Sequence, residues 1–224
     1  MFNFVGTPVP LLELESVEEN GKRFYPVPSG QKYPSVTTVT SIRSKKSILA
    51  WRQNVGEEVA NKISHRASRR GTSLHAMIEA YLKGTPVKDE DEEVLSSFLF
   101  KICKGSLNRI NNIHALEAPL YSDYLRLAGR VDCIAEFYVI LSVIDFKSSS
   151  KLKKESWIEN YFVQETAYAA MYFERTGIKV EQIVTIISTE EGECQVIIKN
   201  DLSKYFNLLK EYIQEYEEEN SNGI

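Results

Sequence analysis

The sequence predicts an α/β domain, a mixed β-sheet flanked by α-helices, and three observations carry that expectation. Runs such as LSVIDF (141–146) are almost unbroken in their apolarity, the pattern of a strand covered on both faces. Segments with apolar residues at helical spacing lie before, between and after the strand-like runs. The order along the chain is helices, a strand meander, a helix, two strands and a helix. The pattern does not yield the order of strands in the sheet.

Residues 1–34 read as loop, punctuated by Pro8, Pro10, Gly21, Pro26, Pro28, Gly30 and Pro34. KYPSVTTVTSI (32–42) is rich in β-branched residues and reads as a short strand or extended lead-in. A first helix is expected from about Ser47 to Arg70, with Ile48, Trp51, Val55, Val59 and Ile63 on its apolar side. Gly71 is expected to break it, and Thr72 to cap a second helix that carries Leu74, Met77, Ile78, Tyr81 and Leu82 and ends at Gly84. A third helix is expected from Asp89 to about Lys104. Strands follow at 114–122, 124–138 and 141–148, then a helix that starts near Trp157 and closes at Gly177. Strands at 181–189 and 193–199 and an amphipathic helix at 201–217 complete the chain. The whole reads as one domain over 1–224: a helical region (about 41–112), a sheet-bearing core (about 113–200) and the terminal helix.

Bulk properties narrow the function classes. With 224 residues, 43% hydrophobic and 26% charged, the chain suits one well-cored globular domain. No apolar run approaches the ~20 residues that span a bilayer. The N-terminal MFNFVGTPVPLLELE has neither a basic secretory start nor an Arg-rich transit character, so a cytoplasmic protein is expected. Cys103, Cys133 and Cys194 are scattered and form no C-x-x-C pair, which excludes a four-cysteine iron–sulfur cluster and argues against structural zinc. No G-x-x-x-x-G-K-[ST] loop is present, so any motor belongs to a separate chain.

Net charge is −4, but its distribution is uneven. Between Ser41 and His75 stand eight basic residues (Arg43, Lys45, Lys46, Arg52, Lys62, Arg66, Arg69, Arg70) against Glu57 and Glu58. Lys147 to Lys154 holds four lysines and no acid, while acids gather at Asp89–Glu93 and Glu211–Glu219. The basic runs suit either phosphate contacts or a solvated helix face.

The chemistry concentrates in GRVDCIAEFYVILSVIDFKSSSK (129–151). Strand alternation puts Asp145 and Lys147 on one face, with Ile144 and Phe146 on the other. Asp132 sits in the preceding apolar run. Ionisable groups at the end of a buried strand are costly unless paired or bound to metal. Two carboxylates and a lysine in such a place suit divalent-metal phosphodiester chemistry.

Several motifs, in order, add to this: KYPSVTTVTSI (32–42), RRGTSLHAMIEAYLKG (69–84), GRVD (129–132), DFK (145–147) and QETAY (164–168). On these the chain resembles the PD-(D/E)XK nucleases, and among them the RecB-like exonucleases, with particular likeness to phage-encoded relatives of the mitochondrial genome maintenance exonuclease. The resemblance spans roughly residues 20 to 200. It implies a restriction-endonuclease-like core and a Mg²⁺- or Mn²⁺-dependent deoxyribonuclease with one or two ions, acting on single-stranded DNA from a free end. It implies work in phage DNA replication, recombination or degradation, in host cytoplasm, as a monomer with or without a helicase or replication protein as partner. An endonuclease, a helicase-partnered recombination nuclease and a non-catalytic nucleic-acid-binding module are the alternatives.

Under that resemblance Asp132 and Asp145 are metal ligands, joined by the backbone carbonyl of Phe146 and by His75. Lys147 orients or deprotonates the attacking water and counters charge. Glu117, in HALEAPLYS, either approaches the metal from a neighbouring strand or is an ordinary strand glutamate. Glu79 either orients His75 or pairs with Lys83. Gln164 and Tyr168, one helical turn apart, position substrate, or else Tyr168 is core. Arg69, Arg70 and Arg130 are candidate phosphate contacts. Among the aromatics near the motifs, Trp51, Tyr81, Tyr121, Tyr124, Trp157 and Tyr161, one or two are expected to stack on bases.

Overall fold

The computed structural model describes residues 2–87 and 94–221. Its centre is a five-stranded mixed sheet in sequence order: β4 (Ile110–Ser122), β5 (Leu127–Phe137), β6 (Ile140–Ser149), β7 (Gln182–Thr189) and β8 (Cys194–Lys199). Only β6 and β7 run parallel, joined through α5 (Glu159–Thr176), and the other neighbours are antiparallel. A parallel pair needs such a crossover, whereas antiparallel neighbours close through short turns.

Alternation along the strands divides the core in two. Ile134, Val143, Ile183 and Ile187 face α5, α6 (Leu202–Ser221) and the short α1 (Val36–Thr40). Cys133, Ile144, Phe146 and Val184 face the C-terminal half of α3 (Glu57–Lys83) and α4 (Val94–Leu107). Every residue of β7 is buried, as expected of a strand covered on both sides. This α/β sandwich is compatible with a restriction-endonuclease-like core.

Three sequence expectations are corrected. Gly71 does not break a helix, because α3 runs through it for 27 residues. A mid-helix glycine costs only ~1 kcal/mol against alanine, less than burial of Leu74, Met77, Ile78 and Leu82 just beyond it returns. The break falls at Gly56, whose φ of 84° ends α2 (Lys45–Val55), and Thr72 is an interior helical residue rather than a cap. KYPSVTTVTSI is half strand and half helix: β3 (Lys32–Pro34) gives way to α1, where the Ser35 hydroxyl accepts from the Thr38 N–H at 3.0 Å. A capping serine thus outweighs the β-branched composition.

The region read as loop also holds β1 (Val17–Glu19) and β2 (Lys22–Pro26), which form an antiparallel sheet with β3. Their two-residue Asn20-Gly21 turn has positive φ at both positions, a hairpin signal present in the sequence. The start expected for the third helix lies outside the described residues, and α4 covers the remainder.

Candidate metal and nucleic-acid site

β5 and β6 pair from Phe137↔Ile140 to Cys133↔Ile144 and then part. Beyond that point β5 keeps its ladder with β4 as far as Leu127, and β6 keeps its ladder with β7 as far as Ser149. Asp132 and Asp145 are the first residues past the last shared pair, so both stand in the fork. The Phe146 N–H, with no ladder partner on β5, donates to Asp132 Oδ2 at 2.9 Å. Divergence of the two strands leaves backbone and carboxylate groups to satisfy one another, and it opens room that a continuous sheet would fill.

Side chains from three other elements, and Lys147 of β6 itself, converge on the fork. The register Leu116↔Cys133 and Ala118↔Val131 puts Glu117 across from Asp132. Its φ of 48° is unusual for a glutamate inside a strand, a conformation costing on the order of 1–3 kcal/mol. His75, from α3, places Nδ1 3.6 Å from both Glu117 Oε1 and Asp132 Oδ2, while Nε2 is 2.7 Å from the Phe146 carbonyl oxygen. Gln164 of α5 donates from Nε2 to Asp145 Oδ1 at 3.1 Å. Lys147 forms an ion pair with Asp145 Oδ2, and the Tyr161 ring lies 5.2 Å from its ammonium.

The electrostatics follow from crowding. Burial pushes the Asp145 carboxyl up to about 6, aided by Asp132 and opposed by Lys147. Burial works against a charged His75, but Asp132, Glu117 and Asp145 outweigh it and hold the imidazole up to about 9. Burial likewise opposes the Lys147 ammonium, and Asp145 with Asp132 more than offsets it, so the lysine stays protonated.

The donor set fits a hard divalent cation. Ligand atoms of His75, Glu117 and Asp132 lie within 4.8 Å of one another. Asp145 stands outside that group, 2% exposed, and its Oδ2 meets Lys147 without hydrogen-bond geometry. Carboxylate oxygens with one imidazole suit Mg²⁺ or Mn²⁺ better than a thiophilic metal. An Nε2–H held by the Phe146 carbonyl would orient the ring and leave Nδ1 to face the ion. The same carbonyl is then engaged with His75.

The remaining candidate residues are distributed unevenly. Tyr168 is 3% exposed and lies against Gly129, where an added Cβ would come 2.7 Å from the tyrosine hydroxyl. That close approach supplies the physical reason for a glycine at the start of GRVD. Arg130 reaches back to donate to the Glu117 carbonyl. Arg70 is tied to Glu190 and, at 3.1 Å, to Ser148 Oγ at the end of β6. Arg69 is exposed on α3, where it and Arg70 line a cavity of about 580 Å³ with Lys62, His65 and Arg66. Glu79 pairs with Lys83 at 2.6 Å, the second of its two expected partnerships. Arg43 and Lys45, part of the basic run, are taken up by Glu211, Glu215 and Glu219 of α6.

One group inside the QETAY motif was given no role by the sequence. Glu165 is fully buried behind Asp145, with Thr185 donating to Oε1 and Oε2 lacking a partner among the described residues. Burial first, and Asp145 second, push its carboxyl well above the usual carboxylate range. All eight residues of FVQETAYA (162–169) are buried, so this stretch of α5 has no outer face on which a glutamate could meet water.

An α/β core with a carboxylate–histidine–lysine cluster at a strand fork defines a protein with a candidate hydrolytic metal centre. No family model matches the chain. It is 30% identical over 129 residues to mitochondrial genome maintenance exonuclease 1 of Homo sapiens, covering 54% of this chain and 38% of that protein. To the protein of the same name from Mus musculus it is 27% identical over 99 residues, or 44% of this chain and 29% of the relative. The matched part thus spans less than two-fifths of either relative's length. No helix among the described residues is long and apolar enough to cross a membrane.

Proposed function

We propose that the protein is a Mg²⁺- or Mn²⁺-dependent nuclease of the RecB-like, PD-(D/E)XK kind that degrades single-stranded DNA from a free end, in phage DNA metabolism. The observation that carries the reading is the fork where Asp132 and Asp145 meet His75, Glu117 and Lys147. Similarity to proteins named as exonucleases supports it independently. A bound divalent ion supplies Lewis-acid charge for phosphodiester hydrolysis. His75, Glu117 and Asp132 would hold it, with Asp145 turned from Lys147 toward the same space. Lys147, kept protonated, places fixed positive charge where the phosphoryl oxygens gain negative charge. Gln164 holds Asp145 through its Oδ1. In the reaction a water oxygen bonds to phosphorus, the P–O bond to the leaving strand breaks, and the water's proton passes to solvent or the leaving alkoxide.

The need for an end rests on α2 and the first half of α3, a helical pair rich in exposed basic and apolar side chains. A strand passing beneath it must be inserted end first. End-labelled linear single strands should be cut to short oligonucleotides with Mg²⁺ and spared in excess EDTA, whereas circular single strands and blunt duplexes largely survive. Equal rates on circles and linear strands would make it an endonuclease, and cleavage undiminished by EDTA would end the metal reading.

A further inference from the structure

We propose that Trp157 is a base-stacking platform that seats a nucleobase of the strand next to the scissile phosphate. The proposal deepens the nuclease reading and rests on it.

The strap from residue 150 to 158 leaves the site at the end of β6 and leads into α5. Its backbone is tightly pinned. The Ser149 hydroxyl donates to the Lys151 carbonyl at 2.7 Å. Gln195 brackets Lys153, accepting from its N–H at 3.0 Å and donating to its carbonyl at 2.9 Å. Glu155 pairs with Lys199 at 2.6 Å, and Ile158 is sunk in the core. A strap held at so many points has little freedom to choose where its side chains go.

Yet it holds Trp157 60% exposed, and Leu152 earlier in the strap is exposed as well. Tryptophan is among the most buried residues on average, and a rigid segment that presents one to water forgoes a large apolar area. Lys154 sets its ammonium 5.1 Å from the ring centroid, and Lys151 and Lys153 make the strap basic. An indole flanked by cations suits a flat aromatic base attached to an anionic backbone better than it suits an apolar protein surface.

Position supplies the second argument. Trp157 precedes Tyr161 by four residues, with turn hydrogen bonds from the Trp157 N–H to the Lys154 carbonyl, from the Ile158 N–H to the Glu155 carbonyl and from the Tyr161 N–H to the Ile158 carbonyl. Ile158, with φ −124° and ψ 20°, separates the short turn at 155–157 from α5, and four residues of chain span at most ~14 Å. The Tyr161 ring itself lies 5.2 Å from the Lys147 ammonium. The indole thus stands on the segment that leads into the Tyr161 turn, on the path that a strand with a phosphate at Lys147 would follow under this proposal.

Stacking on an aromatic side chain contributes enough that its loss weakens binding about ten- to hundredfold. Trp157→Ala should raise KM for a linear oligo(dT) by that factor with kcat within about twofold, while Trp157→Phe keeps most of the affinity. Because the ring is exposed, the melting temperature of Trp157→Ala should match the parent's. The chain has two tryptophans, so in Trp51→Phe the emission comes from Trp157 alone, and oligo(dT) added in EDTA should quench it. An abasic site beside the scissile position should weaken the parent as much as Trp157→Ala does, and should cost that variant nothing further. A parent that cleaves oligo(dT) while Trp157→Ala keeps its KM overturns the platform alone. A parent that neither binds nor cleaves any single strand overturns the nuclease reading with it.

Discussion

The fork between β5 and β6 and the pair formed by α2 with the first half of α3 differ in how they are held. At the fork, Asp132, Asp145 and Gln164 are buried and each makes a directed polar contact. In the helical pair α2 has no buried residue, and Ile48, Leu49, Val59 and Ile63 are exposed. Phosphodiester chemistry needs groups placed to a fraction of an ångström, which a packed core supplies. Admission of a strand needs a surface that yields, which a thinly packed helix pair supplies. Under the proposed nuclease reading, the contrast suits the fork to reaction and the helical pair to selection.

The largest effect should separate the two regions outright. Asp132→Ala, Asp145→Ala and Lys147→Ala should each lower turnover by at least about 10²–10³-fold, with circular dichroism showing that the fold is retained. Near-parental turnover in any of them removes that residue from the site. His75→Ala should impair turnover and weaken Mg²⁺ binding in titration.

The helical pair should register instead in affinity and its salt dependence. Lys62→Ala with Arg66→Ala, on the exposed side of α3, should leave turnover at saturating substrate intact. The fall of log affinity with log salt should become shallower by about 0.7 for each phosphate that the variant no longer neutralises. An unchanged slope would route the strand elsewhere. Arg70 is a poorer probe, since its ties to Glu190 and Ser148 mix binding with packing.

A smaller effect tests how β5 is seated. Gly129→Ala drives a Cβ to 2.7 Å from the Tyr168 hydroxyl and should cost about 1–3 kcal/mol in denaturant unfolding. Tyr168→Phe in the same chain should restore part of that stability. Additive effects of the two substitutions would mean that the tyrosine hydroxyl is not what constrains the glycine.

The smallest effect is a pH dependence of the metal-free protein. His75 is held near pKa 9 against 6.5 for an ordinary histidine, so folding favours its protonated form. Its contribution is complete below pH 6.5 and is lost as pH rises through about 9. In EDTA the melting temperature should fall across that window, and His75→Gln should flatten the fall. Mg²⁺ should stabilise most at the alkaline end, where it no longer competes with a proton.

Some of this was written in the chain order. Strand alternation is local, so D-x-K by itself set Asp145 and Lys147 on one face, and unbroken apolar runs by themselves called for a sheet covered on both sides. The ordered motifs brought His75 and Gln164 into consideration through resemblance rather than periodicity. What the tertiary structure decided depends on distances between elements that no local period encodes. The β4–β5 register, shifted between Asn111 and Ala115, put Glu117 opposite Asp132. Packing against α4 and the sheet carried α3 through Gly71, and the acidic face of α6 claimed Arg43 and Lys45 from the basic run. The parting of β5 from β6 could not be read from either strand, because it depends on where the pairing of two different strands ends, and the site lies just past that end.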